Sequence, residues 1–310
     1  MIKIRYILFA LLTAVLACFL TGCSQGILDP AGYVADQERR LLLLALILMC
    51  IVVIPVIILN FIIAFHYRAS NKKAKYSPEW SHSVHLEFVI WTIPCIIILI
   101  LAIMTWIYTH RLDPYRPLAE KGRGKPLTIE VVALDWRWLF IYPEQHIATI
   151  NFMQIPVNRD VALLLTGDGS PMNSFEMPQL AGQIYVMPGM QTKLHFDAYK
   201  PGDYRGFSSN YSGSPPLGVS GQGFAGMKFT VRAGSDADFN AWVKKAQQSP
   251  DVLTQEQYNK LLPPSSDATV RLFTAPDNSL FNDLMMKYNT VIPASSPSAD
   301  QHAKFITSQE

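Results

Sequence analysis

Cysteine is scarce in this 310-residue chain. The four are Cys18, Cys23, Cys50 and Cys95, and none lies beyond the first third. The long segment after Tyr108 therefore can form neither an internal disulfide nor a thiolate-ligated metal centre, because both need cysteine sulfur. An excess of charge of one sign is also missing. The net charge is +2, and from His110 onward 18 Lys and Arg face 19 Asp and Glu. So even a balance lacks the basic footprint of nucleic-acid binding and offers no strong field for steering a charged partner. No G-x-S-x-G elbow occurs, which removes the usual signature of an independent hydrolase. His110, His146, His195 and His302 are too scattered in sequence to suggest a site.

What is abundant is apolar sequence: half the residues are hydrophobic and the mean hydropathy is +0.17. The excess sits in three runs within the first 110 residues. The first, Ile4 to Leu20, begins beside Lys3 and Arg5 and has the form of a secretory signal peptide. It ends in Leu20-Thr21-Gly22-Cys23, which resembles the lipobox of bacterial lipoproteins. That resemblance implies removal of residues 1–22 and a lipid on the sulfur of Cys23. The alternative is an uncleaved first membrane helix with an incidental cysteine. The second run, Leu41 to Phe65, holds no charge, and the third, Leu86 to Tyr108, holds only Glu87. Each is long enough to cross a hydrocarbon core of about 30 Å, and the spacing predicts helices over about 41–66 and 86–108. Between them, loop 67–85 carries Arg68, Lys72, Lys73 and Lys75 against Glu79, which marks it as cytoplasmic. Residues 23–40 and everything after Tyr108 then lie outside.

A linker, 110–126, leads into short runs with β-branched and aromatic residues separated by turn signals. They are Leu127 to Leu134, Trp136 to Pro143, Ile147 to Pro156, Asp160 to Gly167, Gln183 to Gly189, Gln191 to Ala198 and Gly226 to Ala233. This pattern predicts a β-sandwich over 127–233, with a long loop from Ser208 to Gly223. Helical signals return in 234–290. Ser235 with Asp238 and Thr254 with Gln257 have capping-box spacing, and a third helix is expected over Ser279 to Tyr288. The tail 291–310 is Ser-, Ala- and Pro-rich and is expected to be disordered.

Two membrane helices followed by an external sandwich resemble subunit II of the haem–copper respiratory oxidases. The strings YRASNKKAKYSPEWSHS, ALDWRWLFIYPEQHIAT, MNSFEMPQLAGQIYVMPGMQT and GFAGMKF resemble in particular the bo-type ubiquinol oxidases. The resemblance implies a fold class: a membrane-anchored all-β protein, in which a two-helix transmembrane hairpin precedes an extracytoplasmic cupredoxin-like β-sandwich with short C-terminal helices. Relatives that oxidise cytochrome c hold a binuclear copper centre in this sandwich, on His-Ser-Phe and on C-x3-C-x3-H-x2-M. Here Asn173 precedes Ser174 and Phe175 at the first motif. Ser208 and Ser212 stand where the cysteines would be, Phe224 where the histidine would be, and Met227 is retained. Soft thiolate and imidazole ligands suit copper; a carboxamide, two hydroxyls and a phenyl ring do not. From the residues alone, Met227 reads as a core methionine and Asn173 as a loop hydrogen-bonder.

The resemblance therefore implies a subunit without a redox cofactor of its own, in a complex that oxidises ubiquinol, reduces dioxygen to water and moves protons. Haem and copper would belong to the catalytic subunit I, with smaller membrane subunits as further partners, no cytochrome c, and the bacterial inner membrane as the site. Glu87 has two readings: an acid at a helix N-terminus, where the dipole favours it, or a proton-uptake residue near the mouth of a channel in the partner, as the family implies. Trp136 and Trp138 read as packing or interface residues. A stand-alone lipoprotein binding module and a menaquinol oxidase subunit are the alternatives.

Overall fold

The structure is a computed structural model and describes residues 26–75, 79–118, 125–210, 223–265, 269–274 and 279–289. The chain divides into two units. One is Gln37–Asp113; the other joins the N-terminal residues up to Asp36 with Pro114 onward.

The first unit consists of helix α1 (Tyr33–His66), apart from its opening residues, and helix α2 (Val84–Arg111). Both are long and apolar enough to cross a membrane. Each exceeds the span expected from hydropathy. α1 begins eight residues earlier, through Asp36, Gln37, Glu38, Arg39 and Arg40, because hydropathy marks the buried length of a helix and not its hydrogen-bonded length. Pro55 and Pro94 lie inside the helices.

The second unit is a two-layer β-sandwich with a C-terminal extension. Its strands are β1 (Leu127–Leu134), β2 (Arg137–Tyr142), β3 (Ile147–Ile150), β4 (Phe152–Pro156), β5 (Val161–Gly167), β6 (Asn173–Met177), β7 (Ala181–Val186), β8 (Thr192–Phe196), β9 (Gly202–Ser208), β10 (Lys228–Gly234) and β11 (Arg271–Thr274). The first sheet has the order β11-β3-β2-β1-β5-β8 and the second β4-β10-β9-β6-β7. The single run expected over 147–156 is two strands in different sheets. Asn151 parts them with a left-handed φ of 56°, a conformation that asparagine tolerates better than most residues. Its side-chain oxygen accepts from the Trp138 amide at 2.9 Å.

Strands β6, β9 and β11 were not expected. Gly202, Asp203 and Gly206 give β9 the composition of a turn. The reason Gly206 stands in a strand is the Phe229 ring lying over it: a Cβ there would sit 2.0 Å from Phe229 Cζ. Between the sheets, Trp138, Phe140, Phe175 and Phe229 form an aromatic cluster, with Phe175 stacked on Phe229 at 4.8 Å.

The other face of the first sheet is also buried. Val132, Leu134, Leu139 and Ile141 pack beneath α4 (Gln255–Leu261) and α5 (Leu280–Asn289), numbered after α3 (Asp236–Gln247). Coverage on both sides explains why every residue of β2 is buried and its sequence shows no alternation. Ser235 and Asp238 form the full capping box expected before α3, and Thr254 caps α4 through the Gln257 amide. The extension is thus partly β, because β11 adds to the sheet edge beside β3.

Candidate functional site

Antiparallel pairing brings one end of β6, β9 and β10 together. β9 pairs with β6 through Phe175 and Ser208 and with β10 through Phe207 and Lys228. The start of β6, the end of β9 and the residue before β10 therefore converge. They carry Asn173, Ser208 and Met227, three of the positions singled out in the sequence, and all are buried. Phe224 lies in the 3-10 turn Gly223–Gly226, half-buried against the main core. Its carbonyl accepts from the Met227 amide at 3.0 Å, and the Met227 carbonyl accepts from the Ser208 amide at 3.0 Å. Ser212 lies outside the described residues.

The Asn173 carboxamide is the hub of this cluster. Its oxygen accepts from the Ser174 amide at 2.7 Å and from the Ser208 hydroxyl at 2.5 Å. Its nitrogen donates to Met227 Sδ at 3.1 Å. Ser174 and Ser209, which the sequence did not single out, hydrogen-bond through their hydroxyls. The Ser209 amide donates to the Ser174 carbonyl at 3.2 Å. Asn210 closes the rim by donating to the Met172 carbonyl at 2.8 Å.

A binuclear copper centre does not fit these residues. They offer no group that ionises to a thiolate and no imidazole, and the one soft donor, Met227 Sδ, faces an amide N–H. Both lone-pair directions of the Asn173 oxygen are already used. What the arrangement can do is satisfy buried polar groups and hold three strand ends in register.

A second polar cluster lies just before β6. Asp168, buried, accepts from Tyr258 at 2.6 Å, Lys287 at 2.7 Å and Tyr288 at 2.6 Å, and the Gly169 amide donates to the Tyr288 hydroxyl at 2.9 Å. Burial alone raises the Asp168 carboxyl, but the hydrogen bonds from Lys287, Tyr258 and Tyr288 outweigh it and hold it below the usual carboxylate range. Burial pushes the Tyr258 phenol up, and the neighbouring carboxylate pushes it further. This cluster fastens the C-terminal extension to the sandwich. An aspartate in a glycine-flanked turn was visible in the sequence, but its partners 90 to 120 positions away were not.

The remaining candidates lie apart from these clusters in the sequence. Trp138 is fully buried and meets Phe175 and Phe229 edge-on at 5.0 and 5.8 Å. Trp136 is also buried, at the tip of the β1–β2 hairpin with φ at 70°. Packing is therefore the role their burial supports. Glu87 lies exposed in the first turn of α2. Cys23 and the tail 291–310 lie outside the described residues. Cys50 and Cys95 lie in α1 and α2. Among the described residues, no group of three or more His, Cys, Asp or Glu is placed to hold a metal ion.

Comparison with known proteins gives a consistent result. The COX Aromatic Rich Motif family matches residues 247–290, which span most of the extension fastened by Asp168. Cytochrome bo(3) ubiquinol oxidase subunit 2 of Pseudomonas putida is 46% identical over 91% of this chain and 86% of its own. Ubiquinol oxidase subunit 2 of Acetobacter aceti is 46% identical over 88% of this chain and 86% of its own. Among solved structures, the periplasmic domain of subunit II of cytochrome oxidase from Bradyrhizobium japonicum aligns with 40% of this chain and 95% of its own, at 24% identity and a TM-score of 0.34.

Proposed function

Because this chain belongs to the ubiquinol oxidase subunit 2 family, we propose that it is the non-redox membrane subunit of a complex that oxidises ubiquinol, reduces dioxygen to water and translocates protons. The observation that carries this reading is the substitution of hydrogen-bonding for ligating chemistry at one end of the sandwich. Asn173, Ser208 and Met227 satisfy one another, and the sandwich sequence contains no cysteine. A subunit built this way has no means of passing electrons from a water-soluble donor. A quinol dissolved in the bilayer can instead reduce the haem of the catalytic subunit directly. That subunit would hold the haem and copper, while this chain contributes two membrane helices and an outer domain.

Two finer assignments complete the proposal. Residues 1–22 act as a lipoprotein signal and Cys23 carries the lipid, which places the outer domain in the periplasm. Glu87, exposed near the basic loop, serves proton uptake. Replacing Glu87 with alanine in the assembled complex tests that role: slower turnover and proton uptake are expected, and unchanged rates would remove it.

The main proposal is tested by oxygen uptake of the purified complex with ubiquinol or with reduced cytochrome c, and by copper analysis of this chain after separation from its partners. Turnover with ubiquinol only, and no copper on this chain, is the expected result. Copper bound stoichiometrically to this chain, or turnover with cytochrome c, would overturn it. Menaquinol in place of ubiquinol as the better donor would correct the substrate alone.

A further inference from the structure

Residues 29–36 precede the first membrane span, where a loose tether would suffice. They are instead built into the sandwich. Ala31 and Val34 belong to its main core. The Ala31 amide donates to the Gln179 carbonyl at 2.7 Å, and the Ala31 carbonyl accepts from the Tyr199 amide at 2.8 Å. The Tyr33 amide donates to the buried Asp197 carboxylate at 2.6 Å, and the Tyr199 hydroxyl donates to the Pro30 carbonyl at 2.8 Å. Gly32 passes so close that a Cβ would lie 2.2 Å from the Asp197 carbonyl oxygen and 2.8 Å from that of Leu180.

The strip that receives this strap, β8 and the turn after it, also receives the chain on its return. The His195 amide donates to the Pro114 carbonyl at 2.9 Å. Its imidazole lies 3.1 Å from Asp160, which accepts from the Leu118 amide at 3.2 Å. β8 is an edge of its sheet; the returning connector bonds it through Pro114, and the strap bonds the turn that follows it.

The strap ends in a turn that points to a partner. The Asp29 amide donates to the Gly26 carbonyl at 3.0 Å, so Ile27 and Leu28 are the central pair of a tight turn, and they remain 40% and 41% exposed. Two residues, Ser24 and Gln25, separate Gly26 from Cys23, which keeps the two within about 10 Å even in an extended chain. An acyl group on Cys23 would therefore start within that distance of this turn. We propose that the turn Gly26–Asp29 is a membrane-contacting tip, in which Ile27 and Leu28 enter the lipid surface next to the acyl group and the strap holds them against the turn after β8. This rests on the reading of Cys23 as the lipid site. The lipid then positions the outer domain, whereas the two membrane helices already retain the chain in the bilayer.

The test places the full-length chain in phosphatidylcholine vesicles containing a photoactivatable phosphatidylcholine and maps crosslinks by mass spectrometry. Crosslinks are expected at Ile27 or Leu28 as well as in α1 and α2, and not at Val252, an equally exposed apolar residue of the extension (42%). Gly32→Val, which displaces the strap, should lose the crosslinks at Ile27 and Leu28 while keeping those in the helices. Tyr199→Phe, which removes one strap bond, should weaken them with the sandwich intact. Crosslinking at Ile27 and Leu28 no greater than at Val252 would overturn the proposal. So would crosslinking there that neither variant reduces. The same spectra read Cys23. An acyl mass without tip crosslinks overturns the tip and leaves the lipid site standing. Tip crosslinks without an acyl mass overturn the lipid site and leave the tip.

Discussion

Replacing Asn173 with alanine removes the hub of the buried polar cluster. The Ser174 amide and the Ser208 hydroxyl both lose their acceptor, in a place where water does not reach. Each stranded buried donor costs about 1–3 kcal/mol, while the lost N–H···S contact adds little because sulfur is a weak acceptor. The expected destabilisation is therefore about 2–6 kcal/mol. Ser208→Ala is the control. It leaves the Asn173 oxygen with the Ser174 amide and strands no donor, so it should cost about 1 kcal/mol. Native-state hydrogen exchange on the full-length chain separates the two. Amides of β6 and β9 should open at least about 30-fold more often in Asn173→Ala, since each 1.4 kcal/mol is tenfold. Quinol turnover per assembled complex should be unchanged in both variants, because the cluster carries no electron. Equal effects of the two variants on exchange would refute the hydrogen-bond accounting. A fall in turnover with assembly intact would refute the structural role.

Three further outcomes follow from the same geometry. The folded-state carboxyl of Asp168 is held below its unfolded value, so its stabilisation is present above about pH 4 and is lost as pH falls through the folded value; Asp168→Asn should flatten the fall in thermal stability seen as pH drops below about 4. Burial pushes the Glu130 carboxyl up to about 7, which reverses the sign. Here the folded chain holds the proton more tightly, so stability falls as pH rises from the usual carboxylate value towards 7, and Glu130→Gln should abolish that decline in melts taken across the window. Gly206→Ala forces the Phe229 ring away from its stack on Phe175 and should cost about 1–3 kcal/mol of stability, read by denaturant unfolding.

Legibility followed the range of the forces involved. Helices α1 and α2 could be read because a bilayer imposes a local demand, an uncharged run of sufficient length. Their true ends could not, because polar residues such as Asp36 to Arg40 continue a helix without changing the hydropathy of its span. β1 and β5 could be read from their β-branched and apolar runs. β9 could not, since its glycine answers to an aromatic ring on another strand. Trp136 and Trp138 read as packing or interface residues, and the burial of both rings, which supports packing, came only with the fold.

The sequence by itself determined the membrane spans, the sandwich class and the ligand chemistry that the sandwich lacks residues for. Those depend on composition and local pattern: without cysteine, no arrangement of the sandwich supplies a thiolate. Only the tertiary structure decided what fills that place. Asn173, Ser208 and Met227 meet because antiparallel register aligns three strand ends. Asp168 finds Tyr258 and Lys287, and the strap finds Asp197 and Tyr199, across separations of 90 to more than 160 residues. Contacts at such separations depend on the register of the whole sheet, which no local stretch of sequence specifies.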